Sequence, residues 1–381
     1  MKKRLLSLIL AAAMLLPCCL AAHAAGPEIA APNAILMDVA TGTVLFEKNA
    51  DEKRPPASVT KVMTLLLVME ALDSGRIGWD DVVTASEAAA AKGGSQVYLE
   101  PGEQMTMDEM LKSVVVSSAN DCATALAEHI AGSEAAFVEL MNRRAAELEM
   151  NNTHFVNCTG LDDGENAAEH LTTARDIAIM SRALLKHSAI KKYTTIWMDT
   201  VRGGKFGLSN TNKLVRFYAG TTGLKTGYTS KAGHCISASA ERDGIELVAV
   251  VLHCASSPER FQSAKALLDY GFANYALVRA ETDDALEAIP VKLGRQSFVQ
   301  PVLQKTDPLL VEKGIQARVK RTVTTLPELT APVQAGQQVG TLTLETDAGV
   351  LAEIAIVAPA AVERLSWWEL TVRLLRKLCM G

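Results

Sequence analysis

Pro55-Pro56-Ala57-Ser58-Val59-Thr60-Lys61-Val62-Met63-Thr64 ends a loop and opens a run, Val62 to Leu72, that is almost wholly apolar. A helix that is hydrophobic all round belongs in the interior of a domain. Pro55 and Pro56 are excluded from the body of that helix but tolerated just before it. Ser58 therefore falls at the N-terminus of a buried helix, with Lys61 one turn later on the same face. The pair sets an amine beside a hydroxyl, with free backbone N–H groups nearby. That is one way to activate a serine without a histidine.

Around this stretch, 381 residues suggest two domains or one large one, and 49% hydrophobic against 21% charged residues allows a sizeable core. Residues 1–24 read as a secretory signal peptide: Lys2, Lys3 and Arg4, a short apolar run Leu5 to Leu16, and Ala22-His23-Ala24 at the cleavage site. The run is too short for a spanning anchor. Removing it lowers the formal net charge of −5 by three, to −8, which argues against a nucleic-acid partner. Five scattered cysteines remain, Cys122, Cys158, Cys235, Cys254 and Cys379. Without a Cys-x-x-Cys pair they suit neither a disulfide framework nor a zinc site, and most read as small core residues.

The far end contrasts with the acidic body. In residues 361–381 four basic groups meet two acidic ones, and Trp367, Trp368, Leu370 and Leu374 share a helical face opposite Glu369, Arg373 and Arg376. This reads as a helix lying in a membrane surface, too polar and short to span. The alternative is an amphipathic helix packed on its own domain.

Between these ends, residues 33–48 read as a hairpin, followed by the Ser58 helix. Thr106 caps a helix to Val116, with Glu109 reaching back. Ser117-Ser118-Ala119-Asn120-Asp121 joins it to a second helix, Cys122 to Ala131. A third runs Ala135 to Leu148, and Thr172 or Thr173 caps a fourth through Leu185. Lys225-Thr226-Gly227-Tyr228 leads into a hairpin, His234 to Ala240 and Leu247 to Cys254, and Phe261 to Tyr270 is a closing helix. Strands at both ends of a helical middle make residues 25–277 an α/β domain with one antiparallel sheet. Short alternating runs, Ile289 to Leu293, Phe298 to Leu303, Ile315 to Val319, Gln338 to Leu344 and Val350 to Val357, make residues 278–360 a small all-β domain.

Three motifs stand in order: Ser58-x-x-Lys61, Ser118-x-Asn120 and Lys225-Thr226-Gly227. Each alone is weak; together they match the set found in class A β-lactamases and penicillin-binding proteins. With Pro56-Ala57-Ser58-Val59-Thr60-Lys61, His154-Phe155-Val156-Asn157, Thr159-Gly160-Leu161-Asp162 and Gly223 to Thr229, the chain resembles the low-molecular-mass penicillin-binding proteins, specifically the D-alanyl-D-alanine carboxypeptidases. The resemblance covers essentially the whole chain. It implies a β-lactamase/transpeptidase-like catalytic domain, then the all-β domain and the amphipathic tail.

It also implies parts for a reaction. Ser58 attacks the carbonyl between two D-alanines of a peptidoglycan stem peptide and forms an acyl-enzyme. Lys61 is the base, with Lys225 as the nearby cation that helps keep it neutral. Ser118 relays a proton to the leaving amine, and Asn120 binds the substrate amide. The N–H groups of Ser58 and Tyr228 form the oxyanion hole. Lys225 and Thr226, beside Gly227, hold the terminal carboxylate. Arg260 is either a second holder of that carboxylate or a surface arginine at a helix start. Glu147, in a Glu-x-x-x-Asn match, is rejected as a base for deacylation because it ends a helix. β-Lactams are then expected to acylate the enzyme and remain. No metal or other cofactor is expected, and the protein is placed on the outer face of the cytoplasmic membrane. The competing readings are a D,D-endopeptidase or β-lactamase of the same fold, and a catalytically silent wall-binding protein.

Overall fold

The computed structural model describes residues 26–163, 166–282 and 285–380. The signal-peptide reading of residues 1–24 lies outside them. The chain divides between Gly271 and Phe272 into two compact units.

In the first unit, β1 (Asn33–Asp38) and β2 (Val44–Lys48) form the expected hairpin. The central helix α1 spans Lys61–Asp73, and every residue of it except Glu70 and Asp73 is buried. Helix α2 (Met107–Val116) starts at the reciprocal Thr106–Glu109 capping box. Helix α3 (Asn120–Ala131) begins two residues earlier than the sequence suggests, so Asn120 sits in its first turn. Thr173, not Thr172, caps α4 (Ala174–Leu185), its side chain accepting from Asp176 N. Strands β3 (Thr221–Thr229), β4 (Gly233–Arg242) and β5 (Ile245–Cys254) then complete an antiparallel sheet of order β2-β1-β5-β4-β3. Helix α5 runs from Ser257 to Asn274, longer at both ends than its apolar pattern implies.

Alternation across the sheet assigns its two faces. Ile35, Met37, Val248 and Val250 join α1 in the main core. Leu36 and Leu247 face α5, where Gly271 lets the helix approach: a Cβ there would lie 2.4 Å from Leu247 Cδ1. The sheet is thus covered on both faces, and β3, which carries Lys225, Thr226 and Gly227, is its edge. An edge strand leaves one row of backbone N–H and C=O groups open to an extended partner.

The second unit has its own core, including Val291, Leu342, Leu344, Ile354 and Ile356. Its largest sheet has the order β6 (Val302–Leu303), β9 (Gly349–Val357), β8 (Gln338–Thr346), β7 (Lys320–Thr325). Two strand expectations change here. Ile315–Val319 is not a strand: Lys313–Gln316 forms a helical turn and the strand follows it. Phe298–Leu303 is interrupted after Val299, where Pro301 has no N–H for the ladder. The amphipathic tail forms α6, Trp367–Met380. Arg373 on its polar side donates to Gly294 O at 3.1 Å and Ser297 Oγ at 2.5 Å. Trp367 and Trp368 remain 87% and 76% exposed, with Leu374, Leu375 and Leu378 exposed as well. Among the described residues no helix is long and apolar enough to cross a membrane.

Candidate active site

Ala57–Thr60 forms a 3₁₀ turn that runs directly into α1. Ala57 has a φ of 49°, an uncommon value for a residue with a side chain. Ser118, at the α2–α3 junction, has a φ of 63°. Left-handed residues of this kind cost about 1–3 kcal/mol each and gather where geometry serves function.

Lys61 is fully buried, yet three oxygens surround its amine. Nζ lies 3.0 Å from Ser58 Oγ, 2.6 Å from Asn120 Oδ1 and 2.8 Å from the Thr159 carbonyl. The orientation of the Asn120 amide follows from its other end. Nδ2 lies 2.7 Å from Gly93 O, which can only accept, so Oδ1 is the atom that faces Lys61. Burial pushes the Lys61 amine down to about 7 from its ordinary 10.5, partly offset by the negative charge of Asp121 and by Cys158. A neutral amine has two hydrogens and one lone pair. Asn120 Oδ1 and Thr159 O take the two hydrogens, and the lone pair is left for the Ser58 hydroxyl.

Asn120 is thereby engaged at both ends and supports Lys61. Ser118 is buried, and its segment is tied to the sheet side: Thr211 N donates to Val116 O, and Thr226 Oγ1 lies 2.7 Å from Thr211 Oγ1. Among the described residues no hydrogen bond joins the Ser118 hydroxyl to Ser58, Lys61 or Lys225.

Gly227 brings β3 against the turn that carries Ser58. A Cβ at this position would lie 2.8 Å from Pro56 O and 3.0 Å from both Ala57 Cβ and Ser58 N. Only a residue without a side chain fits such an approach. Lys225 is buried, with Nζ 2.8 Å from Thr226 O. Burial lowers its proton affinity well below the ordinary lysine value, and the charges of Lys61 and Arg260 lower it further. The Tyr228 ring is exposed and stacks on His234 at 4.3 Å between centroids.

Arg260 is not the surface arginine that one of its two readings gave. It is 7% exposed, and Nη1 donates to Gly227 O at 3.0 Å and Cys235 O at 3.2 Å, while Nη2 donates to Ser257 Oγ at 3.2 Å. It supports β3 from within the fold. Because a trans peptide holds C=O and N–H in opposite directions, Arg260 on Gly227 O turns the Tyr228 N–H the other way.

The Gly93 and Thr159 carbonyls escaped the sequence reading because backbone atoms carry no residue-type signal; only Thr159-Gly160-Leu161-Asp162 marked the loop. Cys122, Cys158, Cys235 and Cys254 are buried free thiols. Burial raises their proton affinity, so they are inert as nucleophiles. Among the described residues no group of three or more His, Cys, Asp or Glu is arranged to hold a metal.

Residues 20–256 match the family model for D-alanyl-D-alanine carboxypeptidase, and residues 279–364 match that for the penicillin-binding protein 5 C-terminal domain. The D-alanyl-D-alanine carboxypeptidase DacF of Bacillus subtilis (strain 168) is 42% identical over 368 residues, covering 93% of this chain and 94% of the relative. The crystal structure of penicillin binding protein 5 from Haemophilus influenzae superposes with a TM-score of 0.70 at 30% identity, over 89% of this chain and 99% of that one. Penicillin-binding protein D2 from Listeria monocytogenes, in its ampicillin-bound form, does so with a TM-score of 0.58 at 31% identity, over 64% of this chain and 98% of its own. A polarised serine–lysine pair, an edge strand against it and these matches along both units lead to one conclusion: the chain belongs to the D-alanyl-D-alanine carboxypeptidases, serine hydrolases of the low-molecular-mass penicillin-binding protein class.

Proposed function

We propose that Ser58 is the nucleophile that removes the terminal D-alanine from peptidoglycan stem peptides ending in D-Ala-D-Ala, with Lys61 as its base. The observation that carries this is the environment of Lys61. Two fixed acceptors use both hydrogens of the neutral amine, so its lone pair meets the Ser58 hydroxyl at 3.0 Å. An ordinary lysine is neutral in only about one molecule in a thousand at pH 7.5; lowering it to about 7 makes the base form the majority.

The steps are those the family resemblance implies, and the contacts of Lys61 and the approach of β3 support them. The peptide lies along the open edge of β3. Its carboxylate is held by Lys225 and Thr226, and the incoming negative charge favours the protonated form of Lys225, which burial otherwise opposes. Ser58 Oγ bonds to the carbonyl carbon as its proton moves to Lys61 Nζ. The carbonyl oxygen becomes an oxyanion between the Ser58 and Tyr228 N–H groups, each donor worth around 3 kcal/mol of barrier. The C–N bond then breaks, and the proton returns by way of Ser118 to the leaving D-alanine nitrogen. Water cleaves the ester and frees Ser58.

β-Lactams acylate the same serine, as the ampicillin-bound Listeria relative supports. Glu147 does not serve in deacylation: it ends its helix and pairs with Arg144, which also holds Glu70, near the opposite end of α1 from Lys61. The exposed Trp and Leu side chains of α6, opposite its basic side, support attachment to the outer face of the cytoplasmic membrane.

The test is release of D-alanine from a peptide ending in D-Ala-D-Ala, compared with Ser58→Ala. The wild type releases it and the variant does not. Equal release by both would remove Ser58 from the reaction.

A further inference from the structure

The Ser58 N–H is only as well aimed as the peptide it belongs to, and the other end of that peptide is held by side chains outside the three motifs. The Ala57 carbonyl accepts from Thr60 Oγ1 at 2.9 Å. Thr60 Oγ1 in turn lies 2.8 Å from His170 Nε2. The other nitrogen of that ring, Nδ1, lies 3.2 Å from the Val156 backbone N, which can only donate. Nδ1 is therefore unprotonated, and the neutral ring carries its hydrogen on Nε2. The order of donation is fixed: His170 Nε2–H to Thr60 Oγ1, and Thr60 O–H to Ala57 O. Burial agrees with the neutral ring, lowering its proton affinity to about 4, with His154 and Lys61 adding to the effect.

The surroundings enclose this line, and the 3₁₀ turn Ala57–Thr60 holds the same peptide through its own backbone bonding. Thr60 is 0% and His170 4% exposed. The Gly160 backbone closes over the carbonyl, so that a Cβ there would lie 1.8 Å from Ala57 O and 2.8 Å from Thr60 Oγ1. The His170 ring is held edge-on by Phe155 at 5.7 Å. The Ala57–Ser58 peptide is trans, so pinning its carbonyl on the α1 side turns the Ser58 N–H to the opposite side, where Gly227 approaches. Arg260 does the equivalent for the Tyr228 N–H through Gly227 O.

We propose that Thr60 and His170 are positioning residues for the oxyanion-binding N–H of Ser58, acting in series through the Ala57 carbonyl. The proposal rests on the reading of Ser58 as the acylated residue. Neither side chain touches substrate. Their effect is on the transition state, where the oxyanion forms, and not on substrate binding.

The test uses the full chain with Thr60→Val, Thr60→Ser, His170→Gln and the Thr60→Val/His170→Gln double variant. Three quantities are read: the acylation rate constant with fluorescent penicillin, the split between kcat and KM on a D-Ala-D-Ala peptide, and the affinity of a peptide boronic acid, whose tetrahedral adduct places an oxygen in the hole. The acylation rate constant is taken from the time course of labelled protein alone, so an unfolded fraction does not enter it. Thr60→Val is expected to lose about 10-fold or more in acylation, kcat and boronate affinity with KM nearly constant, since removing a donor outright costs 10²–10³. Thr60→Ser restores the rate to within about twofold, and the double variant is no slower than Thr60→Val because the two act in line. Should Thr60→Val acylate at the wild-type rate, or should the two losses multiply, the proposal fails while the Ser58 assignment stands. A wild type that penicillin does not label overturns that assignment, and the proposal with it.

Discussion

Gly227→Ala isolates the contact between the edge strand and the nucleophile turn. Gly227 does not occupy the left-handed region, so alanine carries no backbone penalty there. What it adds is one methyl group, 2.8 Å from Pro56 O and 3.0 Å from Ala57 Cβ and Ser58 N. Ordinary contacts for these atoms are about 3.5–4.0 Å, so β3 must retreat by roughly half an ångström or more. Overpacking of this size costs about 1–3 kcal/mol of stability, which leaves a well-packed domain folded. The larger effect is chemical. The Ser58 and Tyr228 donors move apart, and since a misplacement of about 1 Å costs around 10²-fold, acylation should slow by about 10- to 100-fold. Stopped-flow acylation with a fluorescent penicillin, beside a thermal unfolding curve, measures both. A variant that unfolds at the wild-type temperature and acylates at the wild-type rate would refute the claim that this approach builds the oxyanion site.

Three further outcomes follow. Acylation requires Lys61 neutral, so its rate should rise with pH, about tenfold per unit, until about 7 and then level off; an inflection near the ordinary lysine value of 10.5 would place the base elsewhere. Gly160→Ala puts a methyl group 1.8 Å from Ala57 O at a φ of 85°, so denaturant unfolding should show a loss of about 3 kcal/mol or more and penicillin labelling should collapse. Removing residues 361–381, or replacing Trp367 and Trp368 by serine, should abolish sedimentation with anionic vesicles while leaving peptide hydrolysis in solution unchanged; retained sedimentation would assign vesicle binding to another surface.

The parts of the fold legible in the sequence are those where residue type and environment agree. α1 was visible because nearly every position is buried and apolar, and α2 because Thr106 and Glu109 satisfy each other's backbone. β7 was missed for the opposite reason: its first five residues, Lys320 to Thr324, are exposed, so no alternation marks them. The more apolar residues just before it drew the strand reading instead, although the first of them fold as a helical turn.

The same division runs through the site. Ser58, Lys61, Asn120 and Lys225 were found because they fall in short motifs. The support that Asn120 gives Lys61 was not, because it depends on a carbonyl twenty-seven residues away, Gly93, that turns the amide. His170 lies outside every motif of the sequence reading. Its actual partners, Thr60 Oγ1 and Val156 N, meet it only in the folded chain. Arg260 read as either a carboxylate holder or a surface arginine, and its bonds to the Gly227 and Cys235 carbonyls, which only the folded chain brings together, exclude the second.

The most direct measurement is the site of covalent attachment. The protein is incubated with benzylpenicillin, digested, and the adduct mapped by mass spectrometry. One penicilloyl group per chain on Ser58, absent from Ser58→Ala and formed far more slowly in Lys61→Met, is the predicted result. An adduct on another residue, or equal labelling of Ser58→Ala, would contradict the assignment of Ser58 as nucleophile and of Lys61 as its base.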